Sequence, residues 1–188
     1  REEGEEVKRL DIVSEDRLLL IHTGYSSHLS KAKAERNLRL LLMDLAESRH
    51  PEALYMAIAE AYDGLDDDAM AMKYAYMDIE SGRQSATYAS RSYRLLLRRL
   101  ARRPAAFAER QDVARRASVD FPELPEFHAE YAECLAYGFD YEGAMREAEA
   151  ALSTFAGYHS IEPLQFDAAM GAAVKERRVL WEKIAARA

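Results

Sequence analysis

Hydrophobic residues recur with the period of an amphipathic helix from about residue 30 onward. Leu38, Leu41, Leu42 and Leu45 occupy positions i, i+3, i+4 and i+7, which places them on one helix face. The following Pro51 ends this helix, because proline lacks the N–H that an interior helical position needs. The same period and its turn signals predict further helices over 52–64, 67–81, 86–102, 105–119, 125–137, 141–154 and 164–187. On one side of the last helix we expect Phe166, Met170, Val174 and Trp181.

Residues 1–28 have a different pattern. Two short strand-like runs, 6–13 and 18–23, are followed by a turn at 23–27. Two strands are rarely stable alone, since a sheet usually needs a third strand or a packed helix. We therefore interpret 1–28 as the β-strand remnant of an upstream domain and 29–188 as a helical domain with a C-terminal capping helix.

The pair of helices predicted between 125 and 154 carries small residues where two helices touch: Ala132 on the first, and Ala144 and Ala151 on the second. This pattern resembles a tetratricopeptide (TPR) hairpin. The starts of the first two pairs, near 52 and 86, are 34 residues apart, as are Ala117 and Ala151, and 34 is the TPR period. One such unit cannot bury its apolar face alone. The expected fold is mainly α, with TPR-like antiparallel hairpins stacked in a right-handed superhelix.

A second resemblance rests on Ile-His-Thr-Gly-Tyr at 21–25 and Glu-Arg-Asn-Leu at 35–38, followed by a leucine-rich helix and the helix pairs. This order is similar to the junction in bacterial family 2 glycosyltransferases that carry a C-terminal TPR region. The resemblance implies an upstream GT-A type domain that transfers sugar from a nucleotide-sugar donor with Mn²⁺ or Mg²⁺. It makes His22 a candidate metal ligand in that parent enzyme only. The region in hand would have no cofactor and no catalytic residue, and would bind the acceptor, a partner or a second copy.

A D-x-D motif would hold the metal in that family, but Asp66-Asp67-Asp68 stands at a predicted helix start. The helix dipole favours acids there, so we interpret this triplet as an N-cap with an acidic first turn.

Two other functions remain open. The chain could be a stand-alone TPR adaptor for protein–protein interaction. It could also be a regulator that senses a peptide, in which case Tyr55, Tyr62, Tyr88 and Arg91 are the candidate groove residues.

The net charge of −7 conceals a basic segment. Residues 83–116 contain ten arginines and no lysine, against Glu109 and Asp112. Four of these arginines form a stripe along one helix face: Arg91, Arg94, Arg98 and Arg102. The opposite face should belong to the core: Tyr93, Leu96, Leu97 and Leu100. Arg99 and Arg103 are expected to widen the basic side.

The stripe has two interpretations. It could bind the phosphates of a nucleotide-sugar, an anionic polymer or an anionic membrane surface. The other interpretation, which we favour, is a solvated face partly paired with acids of neighbouring helices. Nucleic acid is not an expected partner, because no nucleic-acid motif accompanies the stripe and the chain is acidic overall.

The remaining composition bounds the setting. The single cysteine, Cys134, excludes an internal disulfide and fits a reducing compartment. Its place inside a predicted helix favours a packing role. No apolar run approaches the roughly 20 residues of a membrane span, and the acidic N-terminus differs from a signal peptide. A cytoplasmic location is the expectation.

Overall fold

The computed structural model describes residues 27–82 and 88–187. In this part of the chain there are eight α-helices and no strand. Their bounds are α1 Ser27–Glu47, α2 Glu52–Gly64, α3 Asp68–Glu80, α4 Arg91–Leu100, α5 Phe107–Asp120, α6 Pro125–Tyr137, α7 Tyr141–Ala156 and α8 Ala168–Ala185. A 3₁₀ turn over Pro104–Ala106 leads into α5.

Each helix packs on the one before it, from α1 through α8, and α2 also touches α4. Only three residues join α2 to α3, and three join α6 to α7. Connections this short bring neighbouring helices back antiparallel. The chain is thus a linear series of packed helices, as a helical repeat requires.

The corner between α2 and α3 is closed by backbone and side-chain hydrogen bonds. The N–H of Asp67 donates to the Tyr62 carbonyl at 3.0 Å, and Asp66 adopts a left-handed φ of 62°. This is the Schellman arrangement that satisfies the last carbonyls of a helix. The Asp67 carboxylate then accepts from the N–H of Met70 at 3.1 Å and caps α3, which confirms the N-cap predicted for this triplet.

The corner between α6 and α7 repeats this geometry with other residues. The N–H of Asp140 donates to the Leu135 carbonyl at 2.9 Å, and Phe139 takes the left-handed φ, at 66°. The Asp140 carboxylate caps α7 by accepting from the N–H of Gly143 at 2.8 Å. A Cβ at Gly143 would collide with that carboxylate. Two hairpins of different sequence therefore end and begin in the same way.

The core runs along the whole series. A first cluster of buried side chains spans α2 to α6 and includes Ile58, Leu96, Phe121 and Phe127. A second spans α6 to α8 and includes Ala132, Ala144, Val174 and Trp181. The alanines predicted at the α6–α7 contact, Ala132, Ala144 and Ala151, are all buried. Their small side chains let the two helices approach.

The predicted helix pairs at 52–64/67–81 and 125–137/141–154 agree with the structure to within two residues. The second pair begins later than predicted, because α4 starts at Arg91 and Tyr88 lies in a turn with a φ of 69°. The starts of α2 and α4 are therefore 39 residues apart, and the 34-residue spacing predicted for them is wrong. The last helix also begins late, at Ala168. Phe166 is buried ahead of it, while Met170 is exposed.

The predicted β remnant lies outside the described residues, apart from 27 and 28, where α1 has already begun. None of the helices described here combines the length and the apolar character needed to cross a bilayer.

The left-handed residue of the second corner provides a stability prediction. Phe139 is 79% exposed and pays the steric cost of a left-handed backbone, about 1 kcal/mol. Phe139→Gly should remove that cost and raise the free energy of unfolding by roughly 0.5–1 kcal/mol, measured by urea denaturation. Asp66→Gly is the matched control, since aspartate tolerates this backbone better and Asp66 binds Lys31 at 2.9 Å. A lower midpoint for Phe139→Gly would contradict the assigned corner.

Candidate functional site

Two arginines of the stripe face α2. The Arg91 Nη1 lies 3.0 Å from both carboxylate oxygens of Glu60. About two helical turns further along α4, the Arg98 Nη2 lies 2.6 Å from the Asp63 carboxylate. Both arginines are partly solvent-exposed, so each contact alone contributes little to stability. Together they fix the rotation of α4 against α2.

Arg94 faces α6 instead. Its Nη2 lies 2.7 Å from the Glu126 carboxylate, and the two side chains are only 11% and 10% exposed. The same nitrogen donates to the carbonyl of Pro163 at 2.7 Å, and the guanidinium lies 5.6 Å from the centre of the Phe127 ring. This is a buried ion pair, held by a third element, the segment between α7 and α8.

Arg99 is buried, and its predicted place on the solvated basic side is wrong. Its Nη2 and Nε lie 2.5 and 2.8 Å from Asp63, and its Nη1 lies 2.7 Å from Asp68. Burial is the largest single effect and lowers the pKa of Arg99, but the hydrogen bond to Asp63 and the charges of Asp63, Asp68 and Asp66 together raise the pKa above its usual value. The spacing could have shown this, because Arg99 follows the buried Leu95 and Leu96 by four and three residues.

Arg102 differs from the other three members of the stripe. Arg91, Arg94 and Arg98 each bind a carboxylate of this chain. Arg102 is exposed and has no ion pair with a residue of the described ranges. An anion bound along the whole stripe would have to displace those carboxylates. Anion binding by the stripe therefore stays a prediction. Within the stripe, Arg102 is the arginine that an anion could approach without displacing a carboxylate of the described residues.

The N-terminus of α4 is capped by a side chain that is distant in sequence. The Glu162 carboxylate accepts from the N–H of Ala89 at 2.9 Å and from that of Ser90 at 3.3 Å. It also accepts from the Ser90 hydroxyl at 2.5 Å. Glu162 is buried and belongs to the irregular segment 157–167. This segment therefore joins α4 to α8 across the start of α6, where the N–H of Gln165 donates to Glu126 at 3.2 Å.

A cleft opens between the α4–α5 corner, α6 and α8. Its volume is about 750 Å³, within the range of small-molecule and peptide sites. Its apolar and aromatic lining is Leu100, Pro104, Phe107, Cys134, Tyr137, Tyr141, Leu180, Trp181 and Ile184. A smaller space of about 250 Å³, next to Arg94 and Met170, shares Ala101 and Glu130 with it. The two spaces together follow α6 for most of its length.

The apolar side chains at the cleft mouth are unusually exposed. Tyr137 is 71% exposed and Leu180 is 54% exposed. The Tyr137 ring lies 4.6 Å from the Phe107 ring, centre to centre. Trp181, at 6% exposure, forms the floor. Contiguous apolar surface around a concavity marks sites of interaction.

Four of the five charged side chains that line the cleft are paired with one another. The Arg110 guanidinium lies 2.5 Å from Glu130, and that of Arg177 lies 2.5 Å from Glu133. Each pair joins α6 to a neighbouring helix. The sequence alone did not indicate this site, because its residues come from four segments between 100 and 184.

The residues proposed for a peptide-sensing groove fall into two groups. Tyr55 and Tyr62 of α2 pack beside Tyr74 of α3, with ring centres 6.2 and 5.8 Å away. Tyr88 lies under the Arg91 guanidinium at 4.6 Å. The first group faces the α2–α3 contact and the second faces the start of α4, so they do not line the cleft.

The remaining candidates are Cys134, a metal site and His22. Cys134 is buried, and burial raises its pKa to about 11. No group of three or more acidic, histidine or cysteine side chains in residues 27–82 and 88–187 is arranged to hold a metal ion. His22 lies outside the described residues.

Comparison of the chain with protein-family models, with curated proteins and with solved structures finds no match.

The buried ion pair predicts a large asymmetry between two arginine variants. Arg94→Ala leaves the Glu126 carboxylate buried without its partner, and we expect a loss of roughly 3–5 kcal/mol in the free energy of unfolding. Arg102→Ala should change it by less than about 0.5 kcal/mol, because this side chain is exposed. Urea denaturation of both variants measures the difference. Equal losses would contradict the burial of Arg94.

The raised pKa of the Cys134 thiol predicts slow labelling by thiol reagents. Raising the pKa of Cys134 from 9.0 to about 11 lowers the thiolate fraction at pH 8 about 100-fold. Ellman's reagent should therefore label the native protein at least that much more slowly than the urea-unfolded protein. Rapid labelling of the native protein would place Cys134 at the surface.

Proposed function

We propose that this chain is a TPR-like binding region, which takes a segment of a partner protein in the cleft beside α6. The observation that supports this most is the cleft itself, with exposed Tyr137 and Leu180 above a Trp181 floor. Stacked repeats form an extended concave surface that binds partners, and α6 is the first helix of its pair. We place the cleft on that surface.

The repeat interpretation is supported by several independent features. Two hairpins share the same capped corner, at Asp67 and at Asp140. Each helix packs on its predecessor. The 34-residue spacing of Ala117 and Ala151 joins two buried positions on α5 and α7. These features favour stacked hairpins of the TPR kind with α8 as the capping helix.

The resemblance at 21–25 and 35–38 supports a more specific role. We propose that the region belongs to a cytoplasmic family 2 glycosyltransferase, where an upstream domain, His22 and a divalent metal carry out sugar transfer. The helical region then holds the acceptor, a protein partner or a second copy, and contributes no catalytic residue. A stand-alone TPR adaptor would use the same cleft without that chemistry. A peptide-sensing regulator is the other alternative, and its candidate residues lie outside the cleft, on α2 and at the start of α4.

Selection from a random phage-displayed peptide library tests the binding function. We expect enriched peptides that bind the wild-type chain and lose at least tenfold in affinity with Tyr137→Glu, because a charge would enter the apolar mouth. Val119→Glu is the matched control, since Val119 is 66% exposed on α5 and does not line the cleft. The proposal fails if no peptide is enriched, or if both variants bind alike.

The accessory role predicts no sugar transfer by the helical region alone. The chain incubated with nucleotide-sugars and Mn²⁺ or Mg²⁺ should release no nucleotide above the buffer control, measured by a coupled nucleotide assay. Turnover that scales with protein concentration would show that the region is itself catalytic.

A further inference from the structure

We infer that the cleft beside α6 takes a protein segment that carries a bulky apolar side chain next to acidic residues. This inference rests on the proposed binding function and specifies the partner's chemistry. It follows from three properties of the cleft: an apolar floor, internally paired charges, and a basic rim at one end.

The floor requires an apolar anchor. Leu100, Cys134 and Trp181 line the cleft and are all at least 94% buried. Tyr137 and Leu180 stand at the mouth and would lose most of their exposed surface to an inserted side chain. Burial of apolar surface is the main source of affinity in such sites. A leucine or phenylalanine fits this floor, and a polar side chain would leave its own hydrogen bonds unmade.

The charges inside the cleft are already used. Arg110 binds Glu130, and Arg177 binds Glu133, each at 2.5 Å. A charged ligand group inserted between them would be desolvated without gaining an unpaired partner. The interior therefore selects against charge, and the anchor is neutral.

The rim of the cleft at the α4–α5 corner is positively charged, and its charge is only partly paired. Arg103 lines the cleft, and its nearest carboxylate, Asp68, lies 3.4 Å away and is bound more closely by Arg99, at 2.7 Å. Arg102 beside it has no ion pair in the described part of the chain. The exposed Arg103 guanidinium thus stands at the edge of the cleft with little compensation, and the exposed Arg102 precedes it in the chain. Both would bind carboxylates that flank the anchor.

Trp181 is the single tryptophan of the chain and lies in the cleft, so its fluorescence reports occupancy directly. Three acetylated and amidated hexapeptides without tryptophan serve as probes: a Phe-Leu centre between Asp pairs, the same centre between Lys pairs, and a Ser-Ser centre between Asp pairs. We expect the first to bind at least tenfold more tightly than either of the others. Its affinity should fall several-fold between 50 and 300 mM salt, since the rim charges are exposed.

Two variants separate the two parts of the inference. Arg102→Gln combined with Arg103→Gln should remove the preference for Asp over Lys flanks and leave the Phe-Leu dependence. Tyr137→Glu should weaken the Phe-Leu peptide. Arg115→Gln is the matched control, because Arg115 is an exposed arginine of α5 that does not line the cleft.

The inference is overturned if the Ser-Ser peptide binds as tightly as the Phe-Leu peptide, or if the Lys-flanked peptide does. It is also overturned if none of the three changes the fluorescence of Trp181 or the amide shifts of α6. In that last case, library peptides that bind the cleft would still support the proposed function. Failure of the library selection as well would remove both.

Discussion

The arrangement of the helices depends on the arginines of α4, which bind acidic side chains on both sides of that helix. Arg99 is buried against Asp63 and Asp68 and joins α4 to the corner of the first hairpin. Arg94 is buried against Glu126 and joins α4 to α6. Because a buried charge without its partner is costly, α4 cannot rotate or slide without losing one of these contacts. Apolar packing stabilises the series, and a close-packed interior also resists shifts. The ion pairs add specific contacts that favour this placement of one hairpin on the next.

The same pairing determines the character of the cleft. The acids of α6 that point along its open side are neutralised by arginines of neighbouring helices, as Glu130 is by Arg110 and Glu133 is by Arg177. What remains in the cleft is the apolar surface around Trp181. At least seven of the ten arginines in 83–116 bind acids of this chain, so an anion at these arginines would compete with those acids. The exposed arginine without an ion pair in the described residues, Arg102, lies at the C-terminal end of α4. In the proposed complex its charge would orient the ligand, and the apolar cleft would provide most of the affinity.

Local pattern was enough to predict most helices, because their spacing and turn residues act over a few positions. The corners at Asp67 and Asp140 and the buried alanines of α6 and α7 are of this kind. The prediction placed Arg99 on the exposed basic side because its side chain is charged. Its spacing from Leu95 and Leu96 indicated the buried face instead. The cleft could not be predicted, since its lining joins residues up to 84 positions apart and depends on how the helices pack. The late start of α4 has the same origin: its cap, Glu162, lies 72 residues from Ser90.

The non-helical segment 157–167 packs against α4 and the start of α6, and its contacts show which interactions hold a non-helical chain there. It places one carboxylate, that of Glu162, on the N–H groups at the start of α4. It offers the Pro163 carbonyl to Arg94 and buries the Phe166 ring. An acidic group, a main-chain contact and an aromatic anchor are thus already combined at one end of α6, within the chain itself. The cleft at the other end repeats the surroundings, with arginines at the rim and an apolar floor. A partner segment with acidic and apolar side chains would be bound by the same physical interactions that hold this internal segment in place.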